Sequence, residues 1–215
     1  MTNAYDEIYL HSARTVMARM LDYVTNDMEM DMSLFFKYFI ASGLAKEFEK
    51  GNCSVVAGKS GVELVKEVFF EIGFNEPSFP NPSFTFHKSI EYWTGWALSY
   101  FQWETALHFY EILRYIPLSE IKSYYHPYHE MDIRQFSDKM KELFKERKKD
   151  TNLKIIRKEN NLTQKELSRK TDIPLRTIQQ YEQKQKDINK AQTEYLFKFA
   201  KALNCDIEDL IEKIT

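Results

Sequence analysis

LTQKELSRKTDIPLRTIQQYEQ, residues 162–183, is the segment that decides the fold of the C-terminal part of this chain. Thr163 and Glu166 have the spacing of a capping box, in which the threonine caps a helix and the glutamate reaches back to the amide of the cap. Residues 171–173 (TDI) then form a tight turn. Pro174 suits the start of the next helix, because its missing N–H has no partner to lose there. The segment therefore predicts two short helices separated by three or four residues.

Apolar positions on both sides of this segment extend the pattern to five short helices. The third of them buries Ile178 and Tyr181 and turns polar side chains outward. Those outward positions are Arg176, Thr177, Gln179 and Gln180. Helices one, three, four and five are predicted over Asn152–Lys158, Leu175–Gln183, Gln192–Leu203 and Asp206–Lys213.

Two short helices joined by such a turn can seat the second helix in the major groove of duplex DNA. Arginine and glutamine carry the paired donors and acceptors that match guanine and adenine edges there. An amide side chain at the start of the preceding helix, beside free backbone N–H groups, can hold a phosphate. The alternative from periodicity alone is a small helical bundle whose polar faces bind nothing.

The residue string of this region resembles the Cro/CI-type (XRE) helix-turn-helix family over nearly all of the C-terminal domain. The matching elements are Arg157, the opening Thr163-Gln164-x-x-Leu167, Ile178, the pair Tyr181-Glu182, and the ending Ala200-x-Ala202-Leu203 to Asp209-Leu210. The resemblance implies a five-helix fold of the lambda-repressor type and sequence-specific binding to double-stranded DNA.

The resemblance also implies a role for individual residues. Gln164 is expected to contact the phosphate backbone, with a base contact as a second option. Base reading is expected from Leu175, Arg176 and Gln180, with Gln179 on the same face, and backbone contacts from Thr177 and Lys184. Arg157 and Glu182 match a structural ion pair between helices one and three.

Three positions and one loop depart from the family pattern, so the individual base contacts stay open. Asp172 replaces the usual turn glycine, and Pro174 replaces the usual capping serine or threonine. A longer loop, residues 183–192, follows helix three. Leu175 replaces a base-reading residue that is commonly polar, and its apolar side chain could contact a thymine methyl group.

The remainder of the chain also predicts helices, so the fold class is all-α. Residues 1–145 form an aromatic-rich helical domain, residues 148–215 form the DNA-binding domain, and the charged stretch 146–150 is either a hinge or the last turn of a helix. A loop is predicted at 75–83, where three prolines occur. The N-terminal helices are predicted over Tyr5–Asn26, Met32–Glu49, Ser60–Gly73, Ser89–Tyr115 and Ile133–Phe144, with a shorter one after Pro117.

Charge is distributed unevenly along the chain. The net charge is −2, but residues 1–138 contain 11 Lys/Arg against 19 Asp/Glu, whereas residues 139–215 contain 19 against 13. A basic module attached to an acidic domain is typical of DNA-binding proteins. Neither a membrane span nor a signal sequence is visible, so we expect a cytoplasmic protein. Cys53 and Cys205 form no disulfide framework and are expected to be buried thiols.

Three other motifs are candidates for a binding or catalytic site. VVAGKSG (55–61) lacks the earlier glycine of a phosphate-binding loop, so Ser60 is better explained as a helix cap. HPYHEMD (126–132) has poor metal-ligand spacing. WTGWALSYFQW (93–103) could line a pocket or an interface, although aromatic stripes at helical spacing are usually core. We therefore predict no catalytic site, no cofactor and no metal.

Several functions fit this organisation. We expect a repressor that binds operator DNA as a homodimer, with the N-terminal domain supplying the dimer contact and its helix at 133–144 as one candidate for that contact. Helical domains joined to Cro/CI-type modules often act as antitoxins, so an acidic N-terminal domain that neutralises a basic toxin is one hypothesis. A ligand-sensing repressor is the alternative, and an enzyme with an accessory DNA-binding domain is a third.

Overall fold

The computed structural model describes residues 3–74, 79–83 and 88–214. Every regular element within those ranges is helical, which confirms the all-α prediction. The proline-rich segment 75–83 falls partly outside the described residues. The chain divides into two compact units, Met1–Phe144 and Lys145–Thr215.

Ten α-helices begin in unit 1 within the described ranges, and the last of them extends past the end of the unit to Arg147. A short 3-10 helix, Glu7–Tyr9, precedes the first, and a π-helical turn, Tyr23–Asp27, follows it. The helices are α1 Leu10–Asp22, α2 Met32–Ala41, α3 Leu44–Glu49, α4 Cys53–Val56, α5 Gly61–Glu71, α6 Ile90–Thr105, α7 Phe109–Tyr115, α8 Leu118–Ser123, α9 Tyr125–Tyr128 and α10 Ile133–Arg147.

Two predicted helices are broken in the structure. The stretch Met32–Glu49 divides at Gly43, whose φ of +80° is left-handed and open to glycine without strain. The stretch Ser89–Tyr115 divides at Ala106, which is also left-handed, with φ +52°. The hydrophobic period continues across both breaks, because the helices on either side bury their apolar faces in the same core.

The core of unit 1 is organised around α1, which packs along α6 and also against α5. Gly95 makes the close approach to α6 possible, since a Cβ atom there would lie 2.5 Å from the Met17 carbonyl oxygen. Gly61 serves the same purpose at α5, where a Cβ atom would lie 2.5 Å from Val16 O. Because glycine has no side chain at these two positions, the backbones of α5 and α6 can both approach that of α1 closely.

Aromatic side chains fill most of this core. Phe36, Phe39, Phe48 and Phe109 form a cluster with ring centroids 5.3–6.2 Å apart. All three tryptophans of the chain lie on α6, at positions 93, 96 and 103. Trp93 and Trp103 are buried and Trp96 is half-buried, so most of the aromatic stripe belongs to the core.

The hypothesis that residues 133–144 supply a dimer contact is wrong for their apolar side. Phe136 packs edge-on against Trp93 at 5.3 Å, and Phe144 packs against Tyr115 at 5.1 Å. Met140 is fully buried as well. These apolar side chains of α10 pack into the core of unit 1 and are therefore not available for a dimer contact.

The prediction of two buried thiols is wrong for Cys53. That residue is exposed at the start of α4, a four-residue helix whose inward side chains are Val55 and Val56. Cys205 is half-buried, and burial, followed by the nearby Asp209 and Asp206, raises its thiol pKa to about 11.

Unit 2 contains five α-helices within its described part. Four have nearly the predicted bounds, whereas the last is shorter than predicted and ends at Leu210. Its core includes Leu153, Leu167, Ile178 and Phe199. The helices are α11 Asn152–Glu159, α12 Gln164–Thr171, α13 Leu175–Glu182, α14 Thr193–Leu203 and α15 Ile207–Leu210, with a 3-10 helix at Ile188–Lys190.

Candidate nucleic-acid interface

The start of α12 is fixed by the predicted capping box. Thr163 Oγ1 accepts a hydrogen bond from the Glu166 amide at 3.2 Å, and Glu166 Oε2 accepts from the Thr163 amide at 2.7 Å. The hydrogen bonds from Thr163 lower the pKa of the Glu166 carboxyl group. This confirms the prediction made from residue type and spacing, and it places the free N–H groups of the first turn beside Gln164.

The turn between α12 and α13 is built around Asp172, which has the left-handed φ of +55°. Aspartate tolerates this conformation better than most residues, so it can replace the glycine that is usual here. Two side-chain bonds hold the turn: Thr171 Oγ1 donates to Leu167 O, and Ser168 Oγ donates to Ile173 O, both at 2.7 Å. Pro174 is the N-cap of α13, with φ −54°.

Helix α13 has one buried side and one outward side. Ile178 is fully buried, and Tyr181 packs edge-on against Phe199 at 6.3 Å. Arg176 is exposed, whereas Leu175, Thr177, Gln179 and Gln180 are half-buried. Within the described part of the chain, the polar side chains of this outward set make no hydrogen bond or ion pair.

Lys184 lies just beyond the end of α13. Its φ is +58°, and the next two amides, of Gln185 and Lys186, donate back to Gln180 O at 2.9 and 3.1 Å. This arrangement closes the helix and leaves the lysine exposed.

Arg157 and Glu182 form a buried, bidentate ion pair between α11 and α13. Arg157 Nε donates to Oε1 at 2.6 Å and Nη2 donates to Oε2 at 2.9 Å. Nη1 donates to Leu162 O at 2.6 Å, so each of the three guanidinium nitrogens donates a hydrogen bond. The carboxylate raises the pKa of Arg157. The pair fixes the inclination of α13 relative to α11, and both of its side chains are almost fully buried.

Gln164 has a partner that the sequence did not indicate. Its Nε2 donates to Glu182 Oε2 at 2.7 Å, so α12 is tied to the same carboxylate that holds α11 and α13. An amide nitrogen has two hydrogens, and the second is left for an acceptor outside the unit. No local sequence pattern could have found this contact, because it depends on how the helices pack.

The other motifs have structural roles. Ser60 caps α5 in a full capping box, which confirms that prediction, and Lys59 is paired with Glu67. His129 Nδ1 lies 2.9 Å from Tyr125 O, and its ring stacks on Tyr125. In the described ranges, no group of three or more His, Cys, Asp or Glu residues could hold a metal ion.

A protein-family model described as helix-turn-helix matches residues 153–210, from the second residue of α11 to the last residue of α15. Residues 153–210 are an XRE-type helix-turn-helix domain. That family is one of DNA-binding transcription regulators, so the match supports a DNA-binding role for unit 2.

The remaining comparisons gave no match, either to a curated protein or to a solved structure. No helix in the described residues combines the length and the apolar character needed to cross a bilayer.

Proposed function

We propose that the protein is a repressor that reads duplex operator DNA with the outward side of α13. The observation that supports this most is the polar set on that side, which has no hydrogen-bond or ion-pair partner among the described residues, whereas the neighbouring Arg157 and Glu182 are paired with each other. Arg176 and Gln180 would read base edges, with Gln179 beside them. Leu175 would contact a thymine methyl, and Gln164, Thr177 and Lys184 would hold phosphates.

Arg176→Ala and Gln180→Ala are each expected to cost about 1–3 kcal/mol of binding free energy at one base pair and to relax specificity there. Both side chains lie on the surface of unit 2, so folding should be preserved. The measurement is titration of the purified protein against a footprinted operator and its single-base variants. Arg134→Ala, an exposed arginine of unit 1, is the matched control. Full base discrimination by both variants would remove α13 as the reading helix.

Lys184→Gln is expected to weaken binding to all duplex sequences alike. A phosphate contact carries no sequence information, and its loss should reduce the slope of log K against log salt by about one. Glutamine keeps a long side chain at this left-handed position, so the backbone strain is unchanged. Titration of specific and random duplexes at several salt concentrations measures the slope, and an unchanged slope would exclude Lys184 from the backbone contacts.

We further propose that the repressor binds as a homodimer. Two half-sites of a palindrome lie about 34 Å apart, one helical turn of DNA, so a dimer would present two copies of α13 at that spacing. Light scattering of the protein with and without operator DNA tests this. A single protected half-site with a 1:1 complex would contradict it.

For unit 1 we propose the antitoxin role, in which this domain covers a basic toxin while unit 2 represses the operon. The excess of acidic residues in 1–138 supports it, since complementary charge favours such a pairing. Co-purification of the protein with the product of the adjacent gene tests the proposal. A complex that forms with unit 2 deleted would support it, whereas the absence of any complex would count against it.

A ligand-sensing repressor is the second candidate. It is favoured by Arg14 in unit 1, a half-buried arginine whose Nε and Nη2 are buried without a hydrogen-bond partner among the described residues. Release of operator DNA by a small molecule alone, with no protein partner, would decide for this candidate over the antitoxin.

A further inference from the structure

Arg14, on α1, has an unusual environment for a charged side chain. Its guanidinium carbon lies 3.2 Å from the ring centroid of Trp96 and 5.0 Å from that of Tyr100, so the charged plane is stacked on α6. Nε and Nη2 are both buried, and neither has a hydrogen-bond partner among the described residues. Burial lowers the pKa of Arg14 to about 10, which still leaves it charged at neutral pH.

The same two nitrogens have a partner elsewhere in the chain. In Arg157, Nε and Nη2 are the pair that grips the two oxygens of Glu182. This edge of a guanidinium matches a carboxylate or a phosphate, because its two N–H bonds run parallel. Arg14 therefore presents a complete two-pronged donor edge with no acceptor. Arg19, farther along α1, is by contrast paired with Asp22.

Two buried hydroxyl groups lie on the side of α6 on which Arg14 is stacked. Tyr5 Oη and Ser99 Oγ are both buried and lie beside each other, and neither has another hydrogen-bond partner within the described residues. Trp96, Ser99 and Tyr100 share one side of α6, by their i, i+3, i+4 spacing. Tyr5 is held at the same side one turn later, because Trp103 Nε1 donates to its carbonyl oxygen at 2.9 Å.

We propose that unit 1 binds a small oxyanion, a carboxylate or a phosphate, through the Nε–Nη2 edge of Arg14. The hydroxyls of Tyr5 and Ser99 would donate to the oxygens that the guanidinium does not reach. Since both nitrogens are shielded, the ligand is a small molecule and not a protein surface, and it enters when the neighbouring side chains rotate. The rings of Trp96 and Tyr100 would contact its apolar part.

Binding of an oxyanion does not depend on the proposed function; only its effect on DNA binding rests on the ligand-sensing candidate. Binding is measured without DNA, so failure here leaves the DNA-reading role of α13 untouched. The full chain is titrated calorimetrically with sodium acetate, sodium benzoate and inorganic phosphate, against sodium chloride at matched ionic strength. We expect saturable binding of at least one oxyanion and none of chloride. Comparing the affinities for acetate and phosphate distinguishes a carboxylate site from a phosphate site. A higher affinity for benzoate than for acetate would indicate contact with the rings of Trp96 and Tyr100.

Arg14→Lys keeps a positive charge but removes the two-pronged edge, so it should weaken binding about tenfold or more. Arg134→Lys, an exposed arginine already paired with Asp132, should change it less than about twofold. If Arg14→Lys fails to fold by circular dichroism, the double variant Tyr5→Phe/Ser99→Ala replaces it and should also weaken binding. No saturable binding of any of the three oxyanions, or equal affinity in the folded variant, would overturn the site.

Discussion

Arg157→Ala is expected to destabilise the helix-turn-helix unit by about 3–5 kcal/mol, because it leaves a buried charge without its counter-charge. The Glu182 carboxylate is 1% exposed and would keep only the amide of Gln164 as a donor. Leu162 O would lose its partner as well. Urea unfolding followed by circular dichroism measures the effect, with each unit's transition fitted separately.

The loss should be far smaller when both partners are removed together. Arg157→Met combined with Glu182→Leu leaves no orphan charge, and replacement of a buried pair by apolar residues is often close to neutral. Lys158→Ala is the exposed control: it breaks a pair with Asp150 near the surface and should cost less than about 1 kcal/mol. If Arg157→Ala and Lys158→Ala had similar effects, the pair would not be a structural centre of unit 2.

Gly95→Ala is expected to destabilise unit 1 by about 1–3 kcal/mol, the usual range for overpacking of a close-packed site. In an ordinary helix the same change is stabilising by about 0.5–1 kcal/mol, because alanine loses less entropy on folding. Here the added Cβ would meet Met17 O at 2.5 Å and Ala18 Cα at 2.9 Å. Both are backbone atoms of α1, so the two helices must move apart. Thermal and urea unfolding give the magnitude.

Two other glycines serve as comparisons. Gly61→Ala should behave like Gly95→Ala, because its Cβ would also meet the backbone of α1. Gly43→Ala meets nothing within 4 Å and carries only the strain of a left-handed φ, which is about 1–2 kcal/mol. A neutral or stabilising Gly95→Ala would mean that α1 and α6 do not approach as closely as described.

Features set by adjacent residues could be predicted from sequence. The capping boxes at Thr163 and Ser60 each depend on two residues three positions apart. The helices of unit 2 are separated by short polar turns, which mark their ends. The break at Ala106 could not be predicted, since alanine favours helix and nothing in its type indicates a left-handed conformation. The tertiary environment overrides propensity there.

The environments of the site residues could be predicted less well, because they depend on contacts between segments that are distant in the sequence. The Arg157–Glu182 pairing followed from a family resemblance and not from spacing, and the third partner, Gln164, followed from neither. Arg14 sits between Ala13 and Val16 on an amphipathic helix and has the appearance of an ordinary surface arginine. Only the packing of α1 on α6, 80 or so residues later in the chain, makes its N–H groups buried and unpaired.

The position of every tryptophan on α6 has a spectroscopic consequence. Indole emission will report on unit 1 alone, while the chromophores of unit 2 include Tyr181 and Tyr195. A melting curve recorded at the indole wavelength can therefore look unchanged in a variant whose DNA-reading half has already lost its structure. Comparing that curve with one recorded from the tyrosine bands or the far ultraviolet would reveal directly whether the two halves melt as one cooperative body or in succession.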